Sequence, residues 1–147
     1  MRYAFIISIL GSLLFWGCKK NVSSVPELTY KSANGNVLSK GSILQLKYSF
    51  TDKEADFDSI WIEKASINCT ENDFIDSTAP IPTFPTVTKG NILLTFAYGS
   101  SPDPSVTSII NGCNTPANDT CVFKVFVRDK AGNTSNTAVS ENIVLLQ

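Results

Sequence analysis

From Glu27 onward apolar residues recur at every second position rather than every third or fourth, a period that predicts strands and no long helix. The clearest segment is Ile43–Thr51, where Leu44, Leu46, Tyr48 and Phe50 share one face and Gln45, Lys47 and Ser49 the other. Ser59–Ser66 turns Ile60 and Ile62 inward, and Asn91–Tyr98 sets Ile92, Leu94, Phe96 and Tyr98 against Leu93, Thr95 and Ala97. Cys121–Asp129 groups Phe123, Val125 and Val127. A strand beginning at Leu28–Lys31 stops at the turn residues Asn34-Gly35-Asn36, and a last strand covers Thr137–Leu146 after the turn Lys130–Asn133. The expected fold is all-β, a two-sheet antiparallel sandwich of about seven strands.

Two stretches break the alternation. Thr70–Pro85 carries Pro80, Pro82 and Pro85, which forbid a central strand. Gly99–Thr120 carries Pro102, Pro104 and Pro116, and its Ser105–Asn111 portion predicts one helical turn behind Pro104. Loops this long are uncommon in compact domains and often bind ligands.

The first residues follow a different pattern. One positive charge, Arg2, precedes the uncharged, mostly apolar run Tyr3–Trp16, which is too short to span a bilayer and ends at Gly17-Cys18. A small residue before a cysteine suits signal cleavage, and the thiol suits lipidation. Phe15-Trp16-Gly17-Cys18-Lys19-Lys20 resembles the lipobox of bacterial lipoproteins, particularly those of the Bacteroidetes, where bulky residues precede Gly-Cys. The resemblance implies an N-terminal signal helix removed after residue 17, a lipidated Cys18 and a flexible tether over 18–25. Residues 26–147 would then form the folded domain, held on a lipid bilayer by the acyl chains on Cys18. No aspartate follows Cys18, which by resemblance to envelope sorting implies the outer membrane, with the surface and periplasmic faces both open.

Removal of the signal leaves about 130 residues, enough for one domain with a real core and too few for two. That length suits an immunoglobulin-like sandwich, with a curved barrel as the main rival. The net charge of −1 supplies no basic patch, so nucleic acid is not an expected partner. Histidine is absent, which removes Ser–His and Cys–His catalytic pairs and imidazole zinc sites. With Cys18 acylated, Cys69, Cys113 and Cys121 remain in an oxidising envelope. A Cys113–Cys121 bridge would staple the polar loop between them and is the favoured pairing, with Cys69 able to reach either instead.

Two groups of residues suggest chemistry. Asp52, Glu54, Asp56 and Asp58 alternate through a turn, and such oxygens can converge on a hard cation. Phe57 stands where an EF-hand-type loop needs glycine. The unit Phe50–Ile60 instead looks like the strand–acidic loop–strand of bacterial cadherin-like and immunoglobulin-like modules, and Asp129-Lys130-Ala131-Gly132-Asn133 resembles their Asp-x-Ala-Gly-Asn hairpin. The resemblance implies calcium shared between Asp52, Glu54, Asp56, Asp58 and Asp129, the plainer alternative being a solvated loop and a glycine turn. Trp61 and Glu63 fall on the outer face if Ile60 and Ile62 point inward, where they would form a platform for a glycan or protein ligand; the alternative packs Trp61 inside. Carboxylates crowded into turns do not suit a glycosidase, which needs two acids facing across a cleft. The expected function is a membrane-anchored, non-enzymatic binding or adhesion module, with an accessory subunit of an outer-membrane or pilus-like complex as the second hypothesis.

Overall fold

The computed structural model describes residues 22–69, 74–81 and 87–147. The expected signal segment and Cys18 lie outside the described residues. Among the described residues there are ten strands: β1 (Glu27–Ala33), β2 (Val37–Leu38), β3 (Ile43–Thr51), β4 (Phe57–Ser66), β5 (Phe74–Pro80), β6 (Lys89–Tyr98), β7 (Ile109–Ile110), β8 (Asp119–Asp129), β9 (Ala138–Val139) and β10 (Ile143–Leu145). There is no α-helix among the described residues. One sheet has the order β1-β3-β6-β7, the other β2-β10-β8-β4-β5 with β9 also paired to β8.

The sheets are mixed rather than purely antiparallel. β2 runs parallel to β10 and β7 parallel to β6, both as two-residue strands that chain connections deliver to sheet edges. These short edge pieces also raise the strand count above the expected seven. The helical turn expected over Ser105–Asn111 is absent; the Asp103 carboxylate accepts from the Ser105 N–H at 2.9 Å and closes a turn, after which β7 is extended. Within the proline-bearing stretch, β5 forms an edge strand, where a sheet tolerates proline. The last strand is split into β9 and β10 because the Ser140 hydroxyl takes the Phe123 N–H and draws the chain out of line.

The core lies between the sheets and is built from the alternating positions. Leu44, Leu46, Tyr48 and Phe50 of β3 sit opposite Phe96, Leu94, Ile92 and Gly90 of β6. From the other sheet come Ile60, Ile62, Phe123, Val125, Val127, Ile143 and Leu145, all buried. Phe96 stacks on Phe123 at 5.3 Å, and Phe50 meets Phe57 edge-on at 4.9 Å, so aromatic rings join the two sheets. Gly90 is required there, because a Cβ would meet the Phe50 ring at 2.7 Å. Each large apolar side chain buried this way contributes about 1.5–3 kcal/mol.

The strands carry their ends to two poles. The ends of β3 and β8 and the start of β4 meet at one, beside Ser23 and Ser24. The end of β4, the start of β8 and the C-terminus meet at the other.

Candidate metal centre

Strand β3 ends at Thr51 and its last core-facing phase continues into Asp52, whose side chain is wholly buried. The chain then folds back through Ala55 at φ 53°, a left-handed conformation that costs a non-glycine residue about 1–2 kcal/mol. That turn lets the Asp56 N–H donate to Asp52 Oδ2 at 3.2 Å. Across from it, β8 ends at Asp129, 3% exposed, whose two carboxylate oxygens accept from the Asn133 N–H and Asn133 Nδ2, each at 2.7 Å. Gly132, at φ 91°, makes the turn between them. The Lys130 N–H donates to the Asp56 carbonyl at 3.0 Å and ties the two turns together.

The result is a triad: Asp52, Asp56 and Asp129 each place a carboxylate oxygen within 4.8 Å of the others. Asp52 Oδ1 and Asp56 Oδ1 are buried without a hydrogen-bond partner. Buried acceptors left unsatisfied are costly, and three carboxylates at this spacing repel one another. Carboxylate oxygens are the donor type that a hard cation such as Ca²⁺ takes, six to eight at a time with carbonyls and water, and such an ion would offset both defects.

Of the five acids expected to gather here, three do. Glu54 is turned to solvent and meets Lys53 at 3.8 Å. Asp58 is excluded by a bulge: Phe57 pairs with Asp129 and Ser59 with Arg128, so Asp58 is the extra residue on β4, exposed and accepting from the Ser59 hydroxyl.

Burial pushes the Asp52 carboxyl above the ordinary aspartate range, and the charges of Asp56, Glu54 and Asp129 push the same way, against the Asp56 N–H that favours the anion. The folded state therefore holds a proton that the unfolded chain releases near pH 3.9. Stability of the cation-free protein is expected to fall as pH rises from that value through the higher folded one. Urea midpoints measured against pH in chelator check this, and Asp52→Asn is expected to flatten the decline. A midpoint that rises over that window contradicts it.

Trp61 and Glu63 occupy the outer face, as their phase requires, and each is paired there with a residue of β8. Trp61 stacks on Phe126 of β8 with ring planes 8° apart and centroids 5.0 Å apart, and Glu63 binds Lys124 at 3.0 Å. The two pairs are cross-strand neighbours that steady the β4–β8 pairing.

The opposite pole holds two features of its own. The disulfide joins Cys69 to Cys113, with Cα atoms 5.8 Å apart, and corrects the expected Cys113–Cys121 bridge. Cys121 shares the inward phase of Phe123 and Val125, so its thiol is buried in the core between the sheets and not on the loop carrying Cys113. Cys69 is brought in by Asn68, whose side chain donates to the Asn118 carbonyl and accepts from the Thr120 N–H. Beside the bridge, Lys64 of β4 is fully buried and bonds Asp119 Oδ2 at 2.7 Å and the Ser66 hydroxyl at 2.8 Å. The phase that turns Ile60 and Ile62 inward also turns Lys64 inward, a signal present in the sequence. The adjoining cleft between Lys40, Tyr98, Asn111 and Gln147 encloses about 210 Å³, below the roughly 300–1,000 Å³ of small-molecule sites.

No protein-family model matches the chain, and no curated protein matches it. Among solved structures it is similar to the Pseudomonas fluorescens alkylpurine DNA glycosylase AlkC bound to DNA containing an abasic site analog, at 10% identity and TM-score 0.48 over 85% of this chain and 31% of that one. It is also similar to the Bacillus subtilis sporulation control protein Spo0M, at 12% identity and TM-score 0.39 over 85% of this chain and 51% of that one. The chain thus spans about a third and about half of these two proteins. The first of these is solved on DNA, so the charge-based exclusion of nucleic acid is withdrawn, and at this similarity nothing is carried over to this chain in its place. Likeness at that level does not assign DNA-binding residues to this chain.

Proposed function

We propose that this chain is a lipid-anchored, non-enzymatic binding or adhesion module of the bacterial outer membrane, with calcium bracing one pole of an immunoglobulin-like sandwich. The acidic triad carries the calcium reading, because Asp52 Oδ1 is a buried acceptor without a hydrogen-bond partner and the Asp52 carboxylate has an oxygen within 4.8 Å of two others. The strand order supports the immunoglobulin-like assignment. β1, β3 and β6 correspond to strands A, B and E, and β5, β4, β8 and β10 to C′, C, F and G. Two hallmarks of antibody domains are replaced: Trp61 faces outward, and the disulfide lies at a pole instead of between the sheets. The lack of histidine and the crowding of the carboxylates support a binding role over catalysis. Strand addition at β1 is disfavoured near Leu28, whose N–H and carbonyl both bond the Asn136 side chain.

Growth with an alkyne-bearing fatty acid is expected to label the full chain and leave Cys18→Ala unlabelled and released from membranes. Equal labelling of both forms removes the anchor. Calorimetric titration of the full chain with Ca²⁺ is expected to show one saturable site that Asp129→Asn weakens at least tenfold, the loss of one charged ligand being worth about 1.4 kcal/mol or more. Absence of binding removes calcium from the reading.

A further inference from the structure

The triad is built from two walls. One is the turn Asp52–Asp56, the other the hairpin Asp129–Asn133. The segment leading into the domain is bonded to both. The Lys53 N–H donates to the Ser23 carbonyl at 3.1 Å, and Asn133 Nδ2 donates to the Ser24 carbonyl at 3.5 Å. The segment is also shaped for this position, since the Ser23 hydroxyl accepts from the Val25 N–H at 3.0 Å and Pro26 is buried. Ser23 and Ser24 therefore form a strap laid across the seam between the walls. The acids on those walls repel, two from one side and one from the other, with the Lys130–Asp56 backbone bond holding the seam against them.

We infer that the cation site is a clamp on the membrane tether: calcium bound between Asp52, Asp56 and Asp129 draws the two walls together and so fixes Ser23 and Ser24 against the domain. This rests on the calcium and lipid-anchor readings proposed above. With the cation bound, both anchor points of the strap are held at their bonding separation. Without it, repulsion spreads the walls, and the longer bond, Asn133 to Ser24, is the first to go. The consequence is orientation. From Cys18 to Ser23 the chain can extend at most about 18 Å. A clamped strap therefore holds the acidic pole toward the lipid and presents the Cys69–Cys113 pole outward, whereas a released strap lets the domain swivel.

The test is hydrogen exchange on the full lipidated chain in detergent micelles, with calcium or with chelator, alongside calorimetry on the same samples. Calcium is expected to slow exchange of the Lys53 amide on the order of tenfold, the size of one hydrogen bond held closed, while core amides such as Val125 are unchanged. Asp56→Asn, a half-exposed and isosteric change, is expected to abolish that difference with the core amides still protected. Calcium binding with no change at Lys53 overturns the clamp and leaves the cation site standing. No calcium binding overturns both, and a calcium effect that persists in Asp56→Asn overturns the assignment of the clamp to the triad.

Discussion

Asp119→Ala is expected to cost about 3–5 kcal/mol, because it strands the Lys64 ammonium in a site with no access to water. Both side chains are fully buried, and the pair is completed by Ser66, whose hydroxyl donates to Asp119 Oδ2 at 3.1 Å while accepting from Lys64. Small domains have only about 5–15 kcal/mol of net stability, so the loss is a large fraction of the whole. Replacing both partners together, Lys64→Met with Asp119→Leu, is expected to be far milder, since taking two ions out of water already offsets much of their mutual attraction. Urea denaturation of the single and double variants measures both. A single variant that loses under 1 kcal/mol shows that the pair is dispensable.

Removing the Cys69–Cys113 bridge is expected to cost about 4 kcal/mol, the chain-entropy value for a closed loop of 44 residues. For a domain of this size that corresponds to a fall in Tm on the order of 15 °C. Cys69→Ala with Cys113→Ala tests it by thermal unfolding against the parent under oxidising conditions. Addition of reductant is expected to move the parent down to the variant and leave the variant in place. Because Cys69, Cys113 and Asp119 lie within 4.8 Å at their polar atoms, the two predicted losses are not expected to add. Cys121→Ser is a contrasting control: it places a hydroxyl among Phe123 and Val125 without touching the bridge, and its effect is not rescued or mimicked by reductant.

Much of the sheet architecture was legible because strand phase is a local property. The run Leu44, Leu46, Tyr48, Phe50 names a buried face without reference to any other segment, and each of the four is buried. The same reasoning, carried two residues past Ile62, places Lys64 in the core, and carried back from Phe123 it places Cys121 there too. Both were readable, and Cys121 read that way argues against a bridge to the surface loop. The acidic site was half legible. Alternation proposes Asp52, Glu54, Asp56 and Asp58 as one set, but that assumes a regular strand. The left-handed turn at Ala55 and the bulge at Asp58 break the alternation, so Asp52 and Asp56 converge while Glu54 and Asp58 turn outward.

What the sequence by itself determined is the strand character of the chain, the faces that are buried, the turn at Asp129–Asn133 and the lack of imidazole chemistry. Each of these depends on neighbouring residues or on composition. Only the tertiary structure decided the pairing of Cys69 with Cys113, the partner of Lys64, the approach of Asp129 to Asp52 and the crossing of Ser23 and Ser24 over their seam. These contacts join segments far apart in the chain, and a register shift of one residue sends every side chain of a strand to the opposite face. Which partner each reaches is therefore settled by how the two sheets pack.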